Sequence, residues 1–377
     1  MIDDSAQRIK AAMADRGISQ RELGRSIGLD EVKISKSLNG SRRFTSLELA
    51  LLADELETTV DWFLTGRRAP SWSFAARASQ PVGAHLEPVA PVMERLLDAY
   101  DGARALGGLG APPDLPVPAD TWSFVEQGRQ AAGLAGARLP RAIQDLELPE
   151  LVTELERTLG LLVKVVPLPD GCDGLSFAAG DFRAVLLAPT DVPERHRHTL
   201  AHELGHIIFG DAEDRVVDDS VDSSGAKSIE EKRADAFAAH FLVPRAELLR
   251  ELGGRSPLDV FSEMCFRFSA APTTMAWRLY NEELIDESAR RRLASSTGRR
   301  VAAELGKAGE YSTRCQLSSQ PRAPWHLVEA YLKLHEQGVA TLNTVAALLE
   351  WDIEATISFF ARREIEESIW DELGDGQ

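Results

Sequence analysis

The sequence predicts a multidomain chain: an all-α five-helix domain over residues 1–66, an α+β domain with a small sheet over 90–248, and an α-helical C-terminal region over 249–377, with a linker at 67–89. Three observations predict this. At 377 residues the chain exceeds the size at which one hydrophobic core usually stops growing. Apolar residues recur at three and four through residues 6–64, whereas short β-branched or apolar runs cluster between 161 and 189. Charge is also uneven: residues 1–68 hold eleven Lys/Arg and eleven Asp/Glu, which leaves the whole net charge of −17 on residues 69–377.

In the first segment Ile9, Met13, Leu23, Ile27, Ile34, Leu38, Leu51, Leu52 and Leu56 carry the helical spacing. Ser19-x-x-Glu22 and Thr45-x-x-Glu48 read as capping boxes, each opening a helix. Residues 67–88, RRAPSWSFAARASQPVGAHLEP, have small residues, prolines and no clear period, and read as an exposed linker in which Trp72 and Phe74 are the apolar exceptions. A helix is expected at 90–106, followed by the Pro/Gly segment GGLGAPPDLPVPAD and the amphipathic PELVTELERTLG. LLVKVVPL, GLSFAA and FRAVLLAP then read as strands of a small sheet. Helices follow at 194–209 and 228–242, separated by an Asp-rich loop, and the pattern beyond 250 is helical.

The 44% apolar and 27% charged composition is that of a soluble globular protein, and no uncharged stretch is long enough to cross a bilayer. MIDDSAQRIK lacks the apolar core of a signal peptide. Cys172, Cys265 and Cys315 are odd in number and scattered, with no Cys-x-x-Cys partner, so they read as small buried hydrophobes in a reducing cytoplasm.

The chemistry concentrates at His202-Glu203-Leu204-Gly205-His206. Residues four apart share a helix face, so His202 and His206 can bind one metal ion. Glu231 on the next helix is the expected third ligand, and Asp235, four residues on, would orient a ligating histidine through its second ring nitrogen. Three protein ligands leave an open position, the mark of a catalytic rather than a structural zinc site. Glu203 would then act as general base toward water in peptide hydrolysis. Zn2+ is the default for this donor set, with Mn2+ or Fe2+ as alternatives. His240 lies half a turn away from Glu231 and reads as packing or surface, and His196 and His198 read as satisfied structural histidines. The acidic run Asp211, Glu213, Asp214, Asp218, Asp219 and Asp222 reads as solvated; at a cleft rim it would favour a basic substrate segment.

RHRHTLAHELGHIIFGD followed by EEKRADAFAAHFLVP resembles the ImmA/IrrE family of bacterial metallopeptidases, over residues 122–245. The resemblance implies a zincin-like fold, His202, His206 and Glu231 as ligands, Glu203 as base, and cleavage of repressor proteins, which would switch on stress or mobile-element genes. His198 stands where the family commonly has an aromatic residue. Residues 6–66, including SQRELGRSIGLDEVKISKSLNGSRRF, resemble the XRE-type helix-turn-helix of phage-repressor-like regulators. That resemblance implies a turn at Gly28 and inward-facing Ile34 and Leu38. Lys33 and Lys36 would then face the major groove, with Glu31 at the leading end of the recognition helix, and Gln20, Arg42 and Arg43 would lie near phosphates. Zero net charge on this segment implies weak binding by one copy, and hence a homodimer on a double-stranded DNA operator. The last hundred residues resemble, more weakly, the helical tail of fused members, with an apolar face expected to pack on the peptidase or on a second subunit. Arg278 and Tyr280 are expected in core or surface roles.

Two functions follow. One is a transcriptional regulator that is also a zinc endopeptidase, cutting a helix-turn-helix repressor or its own linker. The other is a DNA-binding transcription factor whose peptidase-like half is a non-cleaving sensor or dimerisation module.

Overall fold

A computed structural model describes residues 4–56, 58, 60–65, 75–78, 88–119, 123–211 and 228–361. The chain divides into two compact units, Met1–Ser71 and Trp72–Gln377.

The first unit is helical: α1 (Asp4–Arg16), α2 (Gln20–Ser26), α3 (Glu31–Leu38), α4 (Ser46–Glu55) and α5 (Val60–Thr65). Both capping boxes form, with Ser19 and Glu22 at the start of α2 and Thr45 and Glu48 at the start of α4. Each satisfies orphan N–H groups that a helix start leaves exposed. Ile9, Leu23, Ile34, Leu38, Leu52 and Phe63 form the fully buried centre. Arg8 on α1 donates to the Phe63 carbonyl of α5 at 2.8 Å, tying the first helix to the last. Leu51, counted in the apolar spacing, is instead 39% exposed, because α4 turns it away from Leu49, Leu52 and Ala53. Between α2 and α3 the chain turns at Gly28, whose φ of +72° suits a residue without a Cβ.

The second unit is built on a four-stranded sheet of β1 (Ala75–Ala78), β2 (Leu162–Val165), β3 (Cys172–Ala179) and β4 (Phe182–Leu187), in the order β1-β3-β4-β2. β3 pairs antiparallel with both β1 and β4, while β2 runs parallel to β4. β4, in the middle of the sheet, is apolar on both faces. Val163, Val165, Val185 and Leu187 face one cluster, and Leu162, Leu175, Phe177, Ala184 and Leu186 face another. A sheet covered on both sides yields runs of apolar residues rather than alternation.

The first face is covered by α7 (Phe124–Gly136), α8 (Leu148–Leu159), α9 (Pro193–Phe209) and α10 (Ile229–Leu242). The same cluster continues through α11 (Arg245–Leu252), α12 (Phe261–Arg267), α13 (Pro272–Asn281), α14 (Glu287–Ala294), α15 (Gly298–Glu304) and α16 (Ala308–Ser319). The second face is covered by α6 (Ala90–Ala105), α17 (Trp325–Glu336) and α18 (Leu342–Leu349).

Two expectations change here. The helices beyond 249 share their core with those before it, since a sheet apolar on both faces needs both layers. Ala75–Ala78, inside the expected linker, is a strand paired to β3. Trp72, Phe74 and the acidic run from Glu213 to Asp222 lie outside the described residues. No helix among the described residues is long and apolar enough to cross a membrane.

The C-terminal part is also bound to the sheet by polar contacts. Arg322 pairs through its backbone with Val165 at the free edge of β2, and its guanidinium grips both oxygens of Glu156, which is 1% exposed, at 2.6 and 3.0 Å. Buried Lys164 donates to the Leu348 carbonyl at 3.3 Å and pairs with Glu350 at 2.8 Å.

Candidate metal centre and nucleic-acid interface

α9 starts with Pro193 in its first turn and ends at Gly210, φ +74°, and it is buried from Thr199 to Ile208. It is clamped between the sheet and α10. Gly205 permits the second contact: a Cβ there would lie 3.2 Å from Ala234 Cα and 3.3 Å from the Phe237 ring. This close approach brings Glu231, near the start of α10, to the histidine pair. Ser228 caps α10 by accepting from the Glu231 N–H, which sets where the Glu231 side chain leaves the helix.

The Nε2 atoms of His202 and His206 are 3.1 Å apart, and each lies 3.3 Å from one oxygen of Glu231. One donor atom from each of the three residues falls within 4.8 Å of the others, and all three residues are buried. The second ring nitrogens are engaged from outside: His202 Nδ1 lies 3.0 Å from Asp235, and His206 Nδ1 lies 3.3 Å from Asp211. Asp211 is in turn held at 2.5 Å by Arg233, whose guanidinium sits over the Phe209 ring. Two imidazoles turned by carboxylates so that both Nε2 atoms meet a third carboxylate suit a divalent ion such as zinc. Asp211 was not expected as a site residue. The signal available in the sequence was its place just past the end of the histidine helix, masked by the acidic run it opens.

Electrostatics follow from burial and partners. Burial works against charged His206, but hydrogen bonds to Asp211 and Glu231 prevail and push its pKa up to about 9. For His202 burial is likewise outweighed, by Asp235 and Glu231, and its pKa rises. Burial opposes ionisation of Glu231, yet the two imidazoles hold its carboxyl below the usual range.

Glu203 is fully buried between α9 and β3. Ser176 Oγ donates to its Oε2 at 2.7 Å, and its Oε1 has no hydrogen-bond partner among the described residues. Burial raises its pKa above the ordinary carboxylate value. β3 approaches closely because residue 174 is glycine: a Cβ there would lie 2.5 Å from Thr199 Cγ2 and 3.2 Å from Glu203 Cγ.

The His198 ring stacks 6.4 Å from that of His202. His196, expected to be satisfied, is buried with neither ring nitrogen partnered among the described residues, and burial pushes its pKa down to about 4. His240 is half-buried, its pKa also pushed down to about 4 by burial and then by Arg278. Arg278 is a core residue, donating to the Val243 carbonyl at the end of α10 and pairing with Glu282, while Tyr280 is 36% exposed. Cys172 and Cys265 are buried and Cys315 half-buried, and burial pushes the Cys172 thiol up to about 12.

In the helical unit Glu31, Lys33 and Lys36 are exposed on α3 while Ile34, Ser37 and Leu38 are buried. Gln20 and Arg43 are exposed. Arg42, expected near phosphates, is bound instead to Ser37 at 2.9 Å and Glu48 at 2.6 Å, so it joins the end of α3 to the start of α4. Val32, beside Lys33, is an apolar residue left 56% exposed on the same helix.

Residues 9–63 match the helix-turn-helix family model, and residues 159–259 match the peptidase family model described as the IrrE N-terminal-like domain. Among curated proteins no match is found. The second match spans β2, β3, β4, α9 and α10, and so includes every residue of the His202, His206 and Glu231 cluster. The chain thus combines a helix-turn-helix region with a region of metallopeptidase-like fold.

Proposed function

We propose that the protein is a DNA-binding transcriptional regulator that is also a metal-dependent endopeptidase, cutting a helix-turn-helix repressor or its own linker. The observation that carries this reading is the buried Glu203 carboxylate, with one oxygen fixed by Ser176 and the other unpartnered among the described residues, beside three converging ligands. A structural site has no use for such a base.

His202, His206 and Glu231 would hold the ion, with Asp235 and Asp211 orienting the two rings. A divalent ion there, zinc by default with manganese or iron as alternatives, supplies Lewis acidity and lowers the pKa of water from 15.7 to about 7. Glu203 takes a proton from the attacking water and passes it to the departing amine. Because Ser176 occupies Oε2, Oε1 is the atom that carries the proton. The raised pKa of Glu203 brings it nearer the working pH, where a carboxylate can both accept and return a proton.

On the DNA side, Lys33, Lys36 and Glu31 read base edges in the major groove, with Val32 available to a thymine methyl, and Gln20 and Arg43 contact phosphates. A homodimer on an operator of double-stranded DNA supplies the affinity that a single helix-turn-helix segment of zero net charge lacks.

The test compares the purified protein with Glu203→Gln for metal content and, on gels, for fragments formed from the chain itself or from an added helix-turn-helix repressor. Metal-dependent fragments that disappear in the variant, with metal content unchanged, are expected. Equal cleavage by both proteins would refute the mechanism. Bound metal without cleavage would favour the second reading, a DNA-binding sensor.

A further inference from the structure

β1 pairs with the part of β3 that builds the Glu203 pocket. Ala75 is opposite Ser176, which donates to Glu203, and Arg77 is opposite Gly174, whose missing Cβ makes room for Thr199 and Glu203. β1 also lies alongside α9, the helix that carries both histidines. It lies outermost in the sheet, is four residues long, and has an irregular register between Arg77 and Ala78. Short edge strands broken by a bulge pair weakly, and a bare sheet edge is a template for any extended peptide.

We propose that the chain's own residues 75–78 act as a removable edge strand that covers the β3 edge beside Glu203, competing with extended peptides that arrive from outside. This rests on the peptidase reading above. The chemistry recognised is an extended backbone offering alternate N–H and C=O groups, of a composition such as Ala75-Ala76-Arg77-Ala78, three of whose four residues are alanine. A strand tethered in the same chain competes at high effective concentration, so the edge is open to other peptides only when 75–78 leaves it.

Full-length protein carrying Glu203→Gln, which cuts nothing, is titrated with a fluorescein-labelled peptide of sequence SFAAQASQ, the 73–80 segment with R77Q. Adding Ala75→Pro and Ala76→Pro removes two successive donors from β1, and the peptide is expected to bind this protein about tenfold tighter or better than the parent. Equal affinity, or no binding to the proline variant, overturns the proposal. A second measurement leaves β1 intact: saturating peptide should speed trypsin cleavage after Arg77, and an unchanged rate also overturns it. Tighter binding by the proline variant, with no metal-dependent cleavage by the Glu203 protein, would remove the peptidase reading while leaving strand competition in place.

Discussion

His202 is held from both sides: its Nδ1 lies 3.0 Å from Asp235 and its Nε2 lies 3.3 Å from Glu231, both on α10. One helix thus supplies a carboxylate to the donor cluster and a second carboxylate that would aim one of its imidazoles. His206 has the same arrangement from different elements, with Glu231 on one side and Asp211, just beyond the end of α9, on the other.

Asp235→Ala and Asp211→Ala should each leave three ligands in place but lower metal affinity by about 10–100-fold, because the freed imidazole loses its orientation and part of its basicity. Competition against a chromophoric chelator measures this. Asp211→Ala should have the larger effect, since it also leaves Arg233 without its closest partner. Affinity unchanged in both variants would remove these two carboxylates from the account of the site.

The Glu156–Arg322 pair gives a stability prediction. Arg322→Met leaves the carboxylate of Glu156, 1% exposed, without its counter-charge and should destabilise the second unit by about 3–5 kcal/mol. Adding Glu156→Gln to that variant should recover part of the loss, since an uncharged amide is less costly to bury alone. Urea unfolding of the three proteins decides it. A single variant within about 0.5 kcal/mol of the parent would mean that the segment around Arg322 is not fastened by this pair.

The convergence of His202, His206 and Glu231 was legible in the sequence because its geometry is local: four-residue spacing puts His202 with His206, and one acidic helix follows. Asp211 was not, since one acidic residue among several gives no sign of which one meets a histidine. Ser176 and Gly174 were legible as strand residues only, because their contact with Glu203 depends on how close the sheet comes to α9. The strand at Ala75–Ala78 was hidden for a similar reason. Three alanines and an arginine carry no period, and only a partner edge makes them a strand. The boundary expected at 249 failed to divide the core because helical periodicity reports an apolar face but not the surface that covers it. Arg42 illustrates the converse. Its residue type suggested phosphate, whereas Glu48, read only as half of a capping box, also binds its guanidinium.

For DNA binding the helical unit separates two effects. Lys33→Ala combined with Lys36→Ala should weaken specific operator binding by a few kcal/mol with little change in the unfolding midpoint, since both side chains are exposed. Arg43→Ala should weaken binding to all sequences alike and reduce the salt dependence by about one phosphate contact. Arg42→Ala should act differently, lowering the midpoint of this unit because it severs the α3–α4 tie. Fluorescence anisotropy over a salt series, paired with thermal melts, tests all three. Full operator affinity in the double lysine variant would exclude α3 as the reading helix.

His196 should make the second unit sensitive to acid. It is buried without a partner among the described residues, and burial pushes its pKa down to about 4 from an ordinary 6.5. The native state therefore resists a proton that the unfolded chain accepts, so the contribution is complete above pH 6.5 and is lost as pH falls through 4. A shift of this size corresponds to about 3 kcal/mol over that window. His206 has the opposite sign: its pKa is pushed up to about 9, so its contribution is full below 6.5 and disappears only as pH rises through 9, outside the window. His240 shares the direction of His196, and several carboxylates titrate in the same range, so the parent curve alone cannot isolate one residue. The difference between parent and His196→Leu can, because the other groups cancel in it. Urea unfolding at a series of pH values should show the leucine variant gaining on the parent steadily from pH 6.5 down to pH 4. A difference that stays flat across that range would mean that His196 accepts its proton in the folded protein as readily as in the unfolded chain.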